Sequence, residues 1–398
     1  MRPLARRMGR LGTETAFEVL ARARALEAKG RSVIHLEIGE PDFDSPRAVV
    51  AAGVAALERG ETHYTPSAGI PELRDAIASY LKRGRGLAYE PSQVIVTPGA
   101  KPIMFYAILA LLESGDEAIF PDPGFPIYAS MISFAGATPV SLPLREERDF
   151  VPDVDELRSL ITPRTKMLIL NSPQNPTGGV ISADAIREIA AIARERDLWV
   201  LSDEIYAEII YEGTHRSIAA EPDMLERTIL LDGFSKTFAM TGWRLGYGAF
   251  PKPLVDGVTK LATNSVSCTA TFTQRAGVVA ISQRPPEVDQ MLAEFRRRRD
   301  AIVAGLNGID GVTCRTPSGA FYVFPNITGL GLGDAKNVAD RLLNEAGVAT
   351  LAGTAFGTAG EGHLRLSYAN SLANLKTAVE RIGDWARAAR PVAIPTGR

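Results

Sequence analysis

Three short apolar stretches run into residues that can do chemistry together. Lys166–Asn171 (KMLILN) leads to NPTG at Asn175–Gly178. Trp199–Asp203 leads to SDEIY at Ser202–Tyr206. Thr228–Asp232 leads to Ser235 and Lys236, with Arg244 eight residues past the lysine. An acid, an amide, a phenol, an amine and a guanidinium thus follow neighbouring strand-like segments, and in open α/β sheets ligands gather outside such ends. A lysine there can condense with an aldehyde cofactor. Asp203 can hold a ring nitrogen protonated, while Asn175 and Tyr206 can hydrogen-bond a ring hydroxyl and tune its acidity. Arg244, helped by Ser235, can grip a phosphate bidentately. The turn Gly99, Ala100, Lys101 opens a helix after Val94–Thr97 and offers free backbone N–H groups to the same phosphate.

Other phosphate and metal signatures fail. Phe234 and Ser235 precede Lys236, so G-x-x-x-x-G-K-[ST] is not met. Gly329–Asp334 (GLGLGD) does not match G-x-G-x-x-G after a strand and reads as a loop. His35, His63, His215 and His363 are scattered without ligand spacing, so no metal site is expected.

The elements that must position this set alternate along the chain. Strands are expected at Gln93–Thr97, Glu117–Pro121, Lys166–Asn171, Trp199–Asp203, Thr228–Asp232 and Leu245–Phe250. Helices are expected at Ala100–Leu112, Pro126–Phe134 and Ala183–Arg196, the last capped by Ser182. Alternation of this kind predicts a mostly parallel α/β sheet covered by helices. The C-terminal third differs. A charged helix near Val288–Asn307 carries the run Arg296–Arg299, read as a solvated face; Gly319–Phe324 and His363–Tyr368 read as strands, and a last helix reaches about Arg387. The expected division is an arm and part of a small domain at 1–46, a large domain at 47–285, and the rest of the small α+β domain at 286–398.

Composition bounds the function classes. The chain has 398 residues, 45% hydrophobic and 23% charged, close to an average globular protein. Lys plus Arg total 44 against 46 Asp plus Glu, so no global field favours nucleic acid or an anionic membrane. The longest apolar run, Ile103–Leu112, is about half a bilayer span. Cys268 and Cys314 show no CxxC spacing and read as buried reduced thiols, which suits a cytoplasmic enzyme. Four arginines before Arg10 is passed, with no apolar core or cleavage site after them, read as a basic arm.

NPTG (Asn175–Gly178), SDEIY (Ser202–Tyr206), SK-x-x-x-x-x-GWR-x-G (Ser235–Gly246) and HLRLS (His363–Ser367) together resemble the class I pyridoxal-phosphate aminotransferases of fold type I. The resemblance runs from IGEPDFDSP (Ile38–Pro46) to the last helix. With HYTPSAGIPELR (His63–Arg74) it is nearest the bacterial aspartate aminotransferase branch. It implies a seven-stranded, mostly parallel sheet, pyridoxal 5′-phosphate as cofactor, and amino acid and 2-oxo acid substrates exchanged by a ping-pong mechanism. By motif, Lys236 would carry the cofactor and shuttle the proton, Asp203 would face the pyridine nitrogen, and Asn175 and Tyr206 the phenolic oxygen. Arg244, Ser235 and the Gly99–Lys101 turn would hold the phosphate. Phe125, in DPGFPIY, would stack on the ring, Arg365 would bind the substrate α-carboxylate, and Gly39 would lie against the substrate. Tyr64 would reach the phosphate of a partner subunit, implying a homodimer.

Two departures accompany these matches. Gly233 stands where some relatives have a phosphate-binding serine, and Ala262–Cys268 lacks the arginine with which another branch reads a distal carboxylate. Lys101 becomes the candidate reader, favouring aspartate with 2-oxoglutarate as acceptor. Trp243 and His63 read as structural, Glu204 as a structural hydrogen-bond partner, and Tyr322 as wall or core. A lyase cleaving C–S or C–X bonds by β-elimination, and an aminotransferase for aromatic or other neutral amino acids, remain alternatives, because function sits in few residues of a shared scaffold. A non-catalytic sensor would need a DNA-binding module, and the roughly 30 residues before the first strand-like segment are too few for one.

Overall fold

Seven strands form the central sheet of the computed structural model, which describes residues 2–389. They are β1 (Val94–Thr97), β2 (Glu117–Asp122), β3 (Thr138–Pro143), β4 (Thr165–Asn171), β5 (Trp199–Asp203), β6 (Thr228–Gly233) and β7 (Gly246–Ala249). Their order is β1-β7-β6-β5-β4-β2-β3, and only β7 runs antiparallel to its neighbours. Side chains alternate between two buried faces. Met167 and Ile169 join Leu201 and Ile229 in a core under the helices Lys101–Leu111, Ile127–Ala135 and Lys252–Ser265. Leu168 and Leu170 join Val200 beneath the helix Ala183–Glu195 on the opposite face. Strands covered on both faces must be apolar throughout, which is why their sequence runs are continuous. Ser182 accepts from the Ala185 N–H and caps its helix as expected.

Six of the seven strands fall on the expected segments, shifted by a residue or two. The edge strand β3 (TPVSLP) is the addition. Its two prolines are tolerated because an edge strand has one unpaired side.

The register assembles one chemical edge. Asn171 pairs with Asp203, Asp203 with Leu231, and both Gly233 and Thr97 with Gly246. Because β7 is reversed, its first residue lies at this edge, and Arg244 arrives there two residues earlier in the chain.

The two chain ends meet in a second core that includes Ile34, Leu36, Phe295, Phe321, Leu366 and Trp385. It lies among the helices Pro286–Asn307 and Leu372–Ala389 and an antiparallel sheet of Leu351–Ala352, Leu364–Ser367 and Tyr322–Val323. The expected strand Gly319–Phe324 shrinks to Tyr322–Val323, with Ala320 at a φ of 57° before it. Residues 390–398 of the expected C-terminal unit lie outside the described ones.

The solvated reading of Arg296–Arg299 needs correction. Arg298 and Arg299 are buried. Arg298 pairs with Asp42 at 2.6 Å and Glu294 at 2.9 Å, its guanidinium 4.8 Å from the Phe43 ring. Arg299 pairs with Asp300 and Glu212 and lies 4.9 Å from the Tyr211 ring. Long aliphatic stems and paired heads make such burial tolerable. Cys268 is half-buried rather than buried, and both cysteines are free thiols. The basic arm forms a 3-10 turn at Arg6–Arg10, and Gly12 N donates to Ser130 Oγ at 2.8 Å. Among the described residues, no helix is long and apolar enough to cross a membrane.

Candidate active site

The chemical edge of the sheet opens on a cavity of about 560 Å³. Lys236, just past β6, is half-buried in its lining and donates from Nζ to the Gly39 carbonyl at 2.5 Å. Burial pulls its pKa down to about 8; Glu40 opposes the shift, and Arg365, Lys101 and Arg244 add to it. The amine is therefore poised as a nucleophile near neutral pH.

Asp203 closes β5 with both oxygens engaged. Oδ1 accepts from the Ile205 N–H at 3.2 Å and Oδ2 from the Tyr128 hydroxyl at 2.6 Å. Burial raises its pKa to about 6, against the pull of those two donors. On β4, Asn171 accepts from the Asn175 N–H at 2.9 Å and donates to Pro173 O and Asp203 O, which locks the NPTG turn to the next strand. The Asn175 side chain is left facing the cavity, its buried Oδ1 without a partner. Tyr206 shares a 2.7 Å hydrogen bond with the Tyr322 hydroxyl.

Arg244 sits at a φ of 53° with Nη1 on Thr241 O at 2.8 Å. Gly99, at a φ of 86°, lies against this guanidinium so closely that any Cβ there would strike Nη2. The positive φ is what favours glycine there, because L side chains rarely adopt it. Ser235 is buried, and with Ala100, Lys101 and Arg244 it lines the cavity. Phe125 lines it too, edge-on to Tyr128 with ring centroids 5.7 Å apart.

Arg365 is buried in the cavity lining, where burial lowers the pKa of its guanidinium. It donates from Nη2 to the Glu37 carbonyl and lies between the rings of Tyr322, at 4.6 Å, and Phe356, at 5.1 Å. Its Nε has no partner among the described residues. A buried, planar, half-satisfied cation is a carboxylate receptor in waiting. Gly39 faces Tyr322 so closely that a Cβ would strike its hydroxyl.

Behind the edge stands a second layer. Glu204 accepts from Arg85 at 2.9 Å, Ser202 at 2.9 Å and Ser217 at 2.5 Å, and meets His215 Nε2 at 2.8 Å. Burial pushes its carboxyl up, but His215, Arg85 and Ser217 outweigh it and hold the pKa at about 2. Arg85 also pairs with Asp232 at 2.5 Å. The structural reading of Glu204 fits this network. Trp243 packs on Gly53 and donates to Ser45, and Tyr322 is a wall.

Tyr64 stands apart. It is 89% exposed and does not line the cavity of its own chain. Among the cavity residues that escaped the sequence reading, Tyr128 and Glu14 carry specific contacts. Tyr128 stands three residues after Phe125 in DPGFPIY, a helical spacing that signals a shared face. Glu14, at the start of the helix Thr15–Glu27, pairs with Lys101 across the cavity mouth and belongs to no motif.

The donor set suits pyridoxal phosphate. A desolvated amine, a buried carboxylate, a phenol and an amide with an open acceptor line one cavity together with Arg244, whose guanidinium lies against Gly99.

Comparisons with known proteins agree. The family model "Aminotransferase class I and II" matches residues 31–382. An aspartate aminotransferase of Pyrococcus horikoshii is 44% identical over 92% of each chain. Aromatic-amino-acid aminotransferase 2 of Thermococcus litoralis is 41% identical over 88% of this chain and 90% of that one. The structure of Thermus thermophilus aspartate aminotransferase with maleate superposes with a TM-score of 0.93 at 40% identity, covering 96% of this chain and 100% of the other. The fold is that of fold type I aminotransferases, and the chain belongs to the class I and II aminotransferase family, whose cofactor is pyridoxal phosphate.

Proposed function

We propose that this transaminase takes an acidic L-amino acid, aspartate first, and passes its amino group to 2-oxoglutarate. The observation that carries the residue assignment is the convergence on one cavity of a lysine with a pKa near 8, Asp203, Asn175, Arg244 and Arg365. Pyridoxal phosphate bound there supplies an aldehyde to receive the amino group and a ring to accept electron density. Lys236 Nζ holds the cofactor between turnovers and moves the proton from the substrate α-carbon. Asp203, fixed by Tyr128, faces the ring nitrogen as a carboxylate. Asn175 and Tyr206 face the phenolic oxygen, with Tyr206 oriented by Tyr322. Arg244, Ser235 and the N–H groups of Gly99, Ala100 and Lys101 grip the phosphate, while Phe125 covers the ring. Arg365 takes the α-carboxylate of every substrate, beside Gly39.

Aspartate is favoured by Lys101, a half-exposed lining residue whose ammonium lies 5.4 Å from the Phe125 ring. Similarity to enzymes named for aspartate supports the same reading. A second reading, neutral aromatic substrates, is supported by the apolar Phe17, Met104, Phe125 and Phe356 around the cavity and by the similarity to an aromatic-amino-acid aminotransferase.

The reading includes a cytoplasmic homodimer divided at about residues 46 and 285. The exposed Tyr64 supports it, as do the exposed Val50, Val54 and Leu57 on the helix Arg47–Glu58, an apolar surface suited to a second copy. The test is a panel of amino acids with 2-oxoglutarate. Glutamate formation from aspartate supports the proposal, whereas pyruvate and ammonia without glutamate would replace it with a β-eliminating lyase.

A further inference from the structure

The residue expected to read a distal carboxylate already holds one. Lys101 Nζ meets the Glu14 carboxylate inside the cavity lining, although the two are 87 positions apart in the chain. Glu14 occupies the N-cap position of the helix Thr15–Glu27, where an acidic side chain would ordinarily accept from its own helix N–H groups. It makes no such bond. Its side chain is turned across the cavity mouth instead, one-fifth exposed, while that of Lys101 is half exposed. Phe17, one turn along the same helix, also faces the cavity.

From this geometry we infer that Glu14 is a specificity-determining residue: it is an internal competitor for Lys101 that lowers the enzyme's discrimination in favour of acidic substrates. With the pair intact, this part of the lining is a neutralised ion pair accompanied by Phe17 and Phe125, which suits an apolar side chain. An acidic side chain must take Lys101 from Glu14 and then share the mouth with a second carboxylate. A half-exposed pair is weak enough to be exchanged and strong enough to register in a rate. The inference rests on the proposal that Lys101 meets the distal carboxylate. It adds that one residue outside the sheet edge sets how much that contact contributes.

The experiment compares wild type, Glu14→Gln, Lys101→Met and the double variant as holoenzymes. Two readouts are taken: kcat/KM for aspartate and for phenylalanine, and equilibrium binding of succinate and 3-phenylpropionate, which do not react. Glu14→Gln should raise the aspartate-to-phenylalanine ratio and the succinate-to-phenylpropionate affinity ratio by roughly three- to fivefold, the upper range for one exposed charge pair. In the Lys101→Met background the same change should leave both ratios within twofold. Ratios that rise less than threefold in the Lys101 background, or rise equally without Lys101, overturn the role of Glu14. Wild type that transaminates neither amino acid overturns the proposed function itself, and Lys101→Met with unaltered ratios overturns the reading of Lys101.

Discussion

The Tyr128 hydroxyl donates to Asp203 Oδ2 at 2.6 Å, joining the first turn of a helix to the end of the strand β5. This contact leaves the carboxylate oriented toward the cavity and works against the burial that raises its pKa to about 6. Hydrogen bonds to a charged group contribute about 1.5–3 kcal/mol. Tyr128→Phe should therefore slow the half-reaction by roughly tenfold or more with all amino acids, and shift its acid limb to higher pH. Asp203→Asn should cost roughly 10³-fold, about 4 kcal/mol of transition-state stabilisation. Stopped-flow absorbance of the cofactor checks both, and near-normal single-turnover rates in Asp203→Asn would remove the carboxylate from the mechanism.

The pKa of Lys236 gives a pH dependence with a definite sign. Its folded value of about 8 lies below the ordinary 10.5, so the neutral, nucleophilic amine grows as pH rises through 8. Roughly a tenth of the apoenzyme is neutral at pH 7 and roughly nine-tenths at pH 9. The rate at which apoenzyme takes up pyridoxal phosphate covalently should rise over this window and level off above it. A rise that continues to pH 10 would mean the lysine is not desolvated.

Arg365 is held between two aromatic rings, and its Nε has no partner among the described residues. Lysine would keep the charge and lose the planar fork. Arg365→Lys should lower kcat/KM by on the order of 10²-fold for acidic and neutral amino acids alike, the scale of one or two charged hydrogen bonds. Loss confined to one amino acid, measured across the substrate panel, would assign Arg365 to a side-chain pocket instead.

Tyr64 is exposed and does not line the cavity of its own chain, so its contribution is tested by mixing subunits. Inactive Lys236→Ala and impaired Tyr64→Phe chains, exchanged with each other, should yield some sites carrying both native groups. Activity rising above both parents is the expected result. Activity that stays at the parental level would separate Tyr64 from the partner's phosphate.

The chemical edge was legible in the sequence because each of its strands is buried on both faces. Continuous apolar runs then announce where a strand stops and polar chemistry begins, as at Asn171 and Asp203. The edge strand β3 was not, because one uncovered side permits prolines and breaks that pattern. Arg298 and Arg299 misled for a related reason: a charged run looks solvated until distant residues such as Asp42 and Glu212 supply its partners. Glu14 left no local sign, since its meaning depends on a lysine brought to it by the fold. Motifs report strand ends; pairings between distant segments need the three-dimensional structure.

The central claim is that Lys236 carries the cofactor. Borohydride reduction of the purified holoenzyme, followed by proteolysis and mass spectrometry, reads the attachment directly. The account predicts one reduced pyridoxyl phosphate group per chain, on the peptide containing Ser235, Lys236 and Thr237. A reduced cofactor on Lys101 or any other lysine, with Lys236 unmodified, would contradict it.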